Sequence, residues 1–220
     1  MNVTFKYDPG MEVEQLKYGL TNPFNNKPSD FGIELQEAVI DITSASEVSA
    51  YISAKIASEN IEPEALCTTF TNTWKPIEKR AHSTFKEFFK TKWEPGEISA
   101  YLTFSKNISY NVKRRFYFVS LAKNPPTPIK TTLHEVQHFY THAVLQSIFE
   151  SNNCGAFFPD FKEALTEVLN LQFYDALDTA DVGYPQHKEI REWIRAQFEF
   201  NMSAHEISSA YITSMRSTSL

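Results

Sequence analysis

Three of the chain's six histidines fall within one short stretch, Thr131–His142, which reads TTLHEVQHFYTH. His134, Glu135 and His138 form H-E-x-x-H. On a helix, residues four apart sit about 5–6 Å apart on one face. Two imidazoles at that spacing can offer their nitrogens to one Zn²⁺ at about 2.0–2.1 Å. The glutamate between them borders the same cleft and can take a proton from water activated there. His142 lies eight residues from His134, about 12 Å along a helix axis, so those two cannot share an ion. We read His142 as a core residue or as a group behind the ligands.

The motif has to sit on a buried helix for this chemistry. At 100° per residue, Ile129, Leu133, Val136, Tyr140, Val144 and Ile148 form one apolar stripe. Leu145 and Phe149 extend the histidine side, so more than half of the circumference is apolar, which predicts burial. Buried polar side chains need partners, and a metal ion supplies them to a histidine pair. A catalytic zinc site usually takes three protein ligands and leaves one position open. A third histidine at the HExxHxxGxxH spacing would fall at Val144, so that arrangement is excluded. The next candidates are Glu163 and Glu167, one turn apart in FKEALTEVLN, on a stripe continued by Asn170 and Tyr174. The same stripe would also suit a plain solvent-facing surface.

H-E-x-x-H followed some 25 residues later by EALTEVLN resembles the gluzincins, zinc metallopeptidases that hold the metal with two His and one Glu. The resemblance covers roughly residues 97–195. It implies His134, His138 and Glu163 as ligands, Glu135 as general base, and Glu167 as the acid that orients a ligand histidine. Ala164 stands where the family usually has glycine. The resemblance further implies a Tyr or His that steadies the oxyanion, here Tyr184 or His187 in GYPQHKEI, and a sheet edge beside the motif helix that takes substrate as an added strand. Zn²⁺ is the expected cofactor and a peptide or protein the expected substrate. The GxMEN element of the aminopeptidase members is absent, which favours an endopeptidase. HEVQHFYTH also matches the HExxHxxxH string of regulatory metalloproteases with a single protein substrate, but the EAN segment that goes with it is missing. A non-catalytic binding module built on a degenerate zincin is the alternative outside catalysis.

The elements that must position these residues can be read from the rest of the chain. The first ninety-odd residues look mainly helical, with one helix over residues 45–60 and a longer one from residue 63 that Pro76 should break or kink. EISAYLTF (Glu97–Phe104) alternates Ile98, Ala100, Leu102 and Phe104 on one face. With the aromatic, β-branched run YNVKRRFYFVSL (Tyr110–Leu121) it predicts an antiparallel strand pair. Thr127 and Pro128 open the motif helix, which should run to about Glu150. A helix follows over residues 160–177, then two closing helices over residues 187–200 and 203–215. The expected fold is α+β, a helix-rich, zincin-like arrangement with a small antiparallel sheet before the motif helix. The expected organisation is a mainly helical region 1–95 and a catalytic region 96–220.

Bulk properties exclude some classes. The chain has 220 residues, 42% of them hydrophobic and 22% charged, with 18 Phe, within the range of well-packed globular proteins. A net charge of −6 offers no basic surplus for nucleic acid or an anionic membrane. Two cysteines are too few for a disulfide framework and read as reduced thiols. No run of 18 apolar residues predicts a membrane span, and the first residues lack the apolar core of a signal peptide, so the expected location is cytoplasmic.

Overall fold

In the computed structural model, the described residues are 1–21, 45–105, 108–121, 127–177 and 183–218. Residues 124–126, just before the motif helix, and 181–182, just before GYPQHKEI, lie outside them. The fold is α+β, with a four-stranded sheet and a majority of helix. In chain order come β1 (Asn2–Lys6), α1 (Pro9–Thr21), α2 (Ala45–Ser58), α3 (Pro63–Phe88), β2 (Glu97–Thr103), β3 (Tyr110–Asn111), β4 (Phe116–Ser120), α4 (Pro128–Ser151), α5 (Phe158–Asn170), α6 (Lys188–Phe198) and α7 (Ala204–Thr218). Short 3₁₀ turns precede α5, follow it, and precede α6. Among the described residues, no helix is long and apolar enough to cross a membrane.

The described residues divide into two compact units that interleave along the chain. The first takes Asn2–Lys75 and Glu97–Pro128; the second takes Met1, Pro76–Gly96 and Ile129–Leu220.

The first unit holds the sheet, in the order β1-β2-β4-β3. The alternation in EISAYLTF is realised: Ile98, Ala100, Leu102 and Phe104 are all buried. The expected antiparallel pairing of the two runs is corrected. β2 lies parallel to β4, and parallel to β1 on its other side. The cause is local: Arg115 adopts φ 55°, and the Asn111 side chain accepts the Arg114 N–H at 2.9 Å. The second run therefore folds on itself, and its two arms β3 and β4 form the antiparallel ladder. β1 is a strand within a region expected to be helical; Val3 and Phe5 alternate into the core. Val13 and Leu16 of α1 pack with Ile52 of α2 and with Phe104.

Pro76 does not break its helix. α3 runs unbroken from Pro63 to Phe88 with the proline inside. Proline loses its own N–H bond and crowds the carbonyl four residues back, but the turns on either side are anchored by burial, Trp74 before it and Ala81 and Phe85 after it. The division between the two compact units falls at this proline.

The second unit packs α4 and α5 with the C-terminal half of α3 and with α6 and α7. Phe149 meets Phe158 and Phe161 at ring-centroid distances of 5.4 and 5.0 Å, and Phe161 meets Tyr211 at 4.9 Å. Phe85 contacts both Tyr140 and Phe173. As expected, α4 begins at Pro128. It is buried around most of its circumference as far as Thr141, and only then acquires an exposed face.

Candidate metal centre

α4 and α5 pack so that a row of polar side chains faces across their contact. His134 Nε2 lies 3.1 Å from Glu163 Oε2, and His138 Nε2 lies 3.4 Å from Glu163 Oε1. One ligand atom from each of His134, His138 and Glu163 can be chosen so that all three lie within 4.8 Å of one another. The two imidazole rings meet edge to face, 4.6 Å between centroids. Two imidazole nitrogens and one carboxylate oxygen form a donor set suited to a divalent transition metal, Zn²⁺ in particular. Glu135, next in sequence to His134, is buried.

The electrostatics suit metal ligation. Burial lowers the His138 pKa well below the usual histidine range, and the Lys162 charge lowers it further, against the opposing pull of Glu163. A neutral imidazole is the form that binds a metal. Burial pushes the Glu163 carboxyl upward, but the His134 hydrogen bond and the Lys162 ammonium outweigh it. They hold the group well below the usual carboxylate range. Thr166 donates its hydroxyl to the Lys162 carbonyl at 2.9 Å, so its lone pairs are left to face His138 Nδ1 at 3.5 Å. That contact favours the Nδ1–H tautomer and leaves the Nε2 lone pair directed at Glu163 and Lys162.

Glu167 lies one turn beyond Glu163 and is only 2% exposed. Its Oε1 accepts the Tyr184 N–H at 2.9 Å, and its Oε2 lies 2.9 Å from Arg191 Nη1. Arg191 also donates to the Tyr184 carbonyl at 2.6 Å. The Tyr184 backbone is thus clamped on both sides, while its side chain is half exposed and its ring rests 5.6 Å from that of His187. His187 is buried, with Nε2 3.2 Å from Asp160 Oδ1. Asp160, Glu163 and Glu167 are spaced i, i+3, i+7 on α5, so the groups that hold His187, the histidine pair and Tyr184 share one helix face. His142 sits lower on α4; its Nδ1 meets Gln146 Oε1 at 2.7 Å and its ring meets Phe158. Burial lowers its pKa.

The polar stripe on α5 is not a solvent face: Glu167 and Asn170 are buried together with their neighbours Lys162 and Thr166, while Tyr174, past the end of the helix, is exposed. Three of these contribute in ways that sequence reasoning missed. Lys162 bonds Glu163 Oε1 and approaches His138 Nε2 at 3.3 Å. Thr166 backs His138. Asn170 accepts a hydrogen bond from Gln137, the residue before His138, which ties the two helices together. Asp160 and Arg191 were missed as well. The signal available for Lys162 and Thr166 was their own i, i+4 spacing beside Glu163, which places them on the flank of the face that meets α4.

Compared with protein-family models, with curated proteins and with solved structures, the chain matches none of them.

Proposed function

We propose that this chain is a zinc-dependent hydrolase of peptide bonds, acting as an endopeptidase. The observation that carries the reading is the convergence of His134, His138 and Glu163 ligand atoms within 4.8 Å, on a helix that also carries the buried Glu135. In this reading His134, His138 and Glu163 hold the ion. When bound, Zn²⁺ polarises a carbonyl and brings the pKa of water toward neutrality. Glu135 takes the proton from the attacking water and delivers it to the leaving amine. His187, oriented by Asp160, and Tyr184, clamped by Glu167 and Arg191, are the candidates to face the oxyanion. Thr166 keeps His138 in the tautomer that ligates. We extend the proposal to a cytoplasmic setting, which is supported by two free cysteines, Cys67 and Cys154.

A second reading, a non-catalytic binding module, is favoured by one observation: Lys162 already supplies a cation to both Glu163 and His138. One experiment separates the two. Purified protein supplied with zinc should retain about one ion per chain and should cleave a labelled unfolded protein. Glu135→Gln should keep the ion and lose the cleavage. Retained cleavage in Glu135→Gln, or the absence of cleavage in zinc-loaded parent protein, would overturn the hydrolase reading.

A further inference from the structure

Lys162 is a charged side chain in an unusual position. It is 6% exposed, on the buried side of α5. Lysine is almost never buried without a partner. Here the partners are two of the three candidate metal ligands: Nζ bonds Glu163 Oε1 and lies 3.3 Å from His138 Nε2. The same carboxylate oxygen lies 3.4 Å from His138 Nε2, so one oxygen serves both groups.

An imidazole Nε2 has a single lone pair. It can accept from an ammonium or donate to a metal ion, but it cannot do both. Glu163 has more capacity, yet one of its oxygens is engaged by Lys162 and the other by His134. Charge acts in the same direction. A divalent ion among two neutral imidazoles and one carboxylate leaves net positive charge in a buried place, and an ammonium in contact with two of those ligands adds to it. We infer that Lys162 is a built-in competitor for the metal, whose ammonium must give up His138 and Glu163 before an ion can be held, and that it thereby sets the metal affinity of this site. The inference rests on the metal reading above.

The test is a zinc titration of the full chain against a chromophoric chelator of known affinity, so that no activity is needed. Lys162→Met keeps the buried aliphatic length and removes the charge. It is expected to bind zinc roughly 10- to 100-fold more tightly than the parent, the usual scale for a neighbour of a metal ligand. Its thermal midpoint should also rise more than the parent's on adding zinc, because stabilisation by a bound ligand grows with the logarithm of its affinity. Lys162→Arg keeps the charge and should stay close to the parent. If Lys162→Met does not fold, Lys162→Gln carries the same expectation. Zinc binding by the parent with equal or weaker binding by the neutral variants would overturn the inference while leaving the metal site intact. Zinc binding by none of the proteins, even with zinc in large excess, would overturn the metal reading and the inference with it.

Discussion

Gly183 is the residue whose replacement tests the clamp around Glu167 most directly. It has φ +66°, a conformation that costs an L-residue about 1–2 kcal/mol. A Cβ built there would also overlap the Glu167 carboxylate. To make room, Glu167 has to withdraw from the Tyr184 N–H and from Arg191, which is itself buried. Breaking a buried ion pair costs about 3–5 kcal/mol, because a charge is left without compensation. Gly183→Ala should therefore lose about 4–7 kcal/mol, a large part of the roughly 5–15 kcal/mol available to a folded domain. Urea denaturation at low temperature, followed by fluorescence of the three tryptophans, measures it. A double-mutant cycle with Glu167→Ala isolates the overlap. With the carboxylate gone, adding Gly183→Ala should cost only the backbone strain, so the two changes should fall short of additivity by about 3 kcal/mol or more. Gly183→Asn tolerates the backbone better but still carries a Cβ, and should remain strongly destabilised. Additivity within about 0.5 kcal/mol would refute the reasoning, since it would mean that the Cβ and the carboxylate do not meet.

Two further outcomes are expected. Glu163→Ala should weaken zinc binding by about 10²–10⁴-fold, the equivalent of losing one buried charge pairing. Glu167→Ala should weaken it by about tenfold or less, because its hydrogen bond and ion pair go to Tyr184 and Arg191. Equilibrium dialysis against zinc compares the two; the opposite order would move the ligand by one turn, and no loss in either would turn attention to His187 and His205. In the other unit, burial raises the Glu12 carboxyl to about 7, against the opposing hydrogen bonds from the Phe104 N–H and Thr103. A carboxyl raised on folding favours the fold in its protonated form, so its contribution is full below about pH 4.5 and fades as pH rises through about 7. Glu12→Gln should remove that fade, gaining up to about 3 kcal/mol on the parent between pH 5 and 8; parallel urea-midpoint curves for the two proteins would contradict it.

What the sequence determined by itself was local. The H-E-x-x-H helix, its start at Pro128 and the inward alternation of Ile98, Ala100, Leu102 and Phe104 follow from periods of 3.6 and 2 that each segment carries alone. Local rules misled where burial or chain reversal intervened. Pro76 stays inside α3 because the turns on both sides of it are buried. Tyr110–Leu121 is not one strand, because a left-handed Arg115 turns it back on itself, and this makes β2 and β4 parallel neighbours. The site shows the same division. Sequence spacing put Glu163 and Glu167 on one face of α5, but spacing alone treats them as equivalent. Only the packing of α4 against α5 brings Glu163 to the two histidines, and only the packing of α6 and the turn before it against α5 gives Glu167 to Tyr184 and Arg191. The packing of α4 against α5 also places Lys162 beside His138 and sets Asn170 against Gln137. These contacts join residues 24 to 33 positions apart. Their selection depends on how two buried surfaces fit together, which no single helix period encodes.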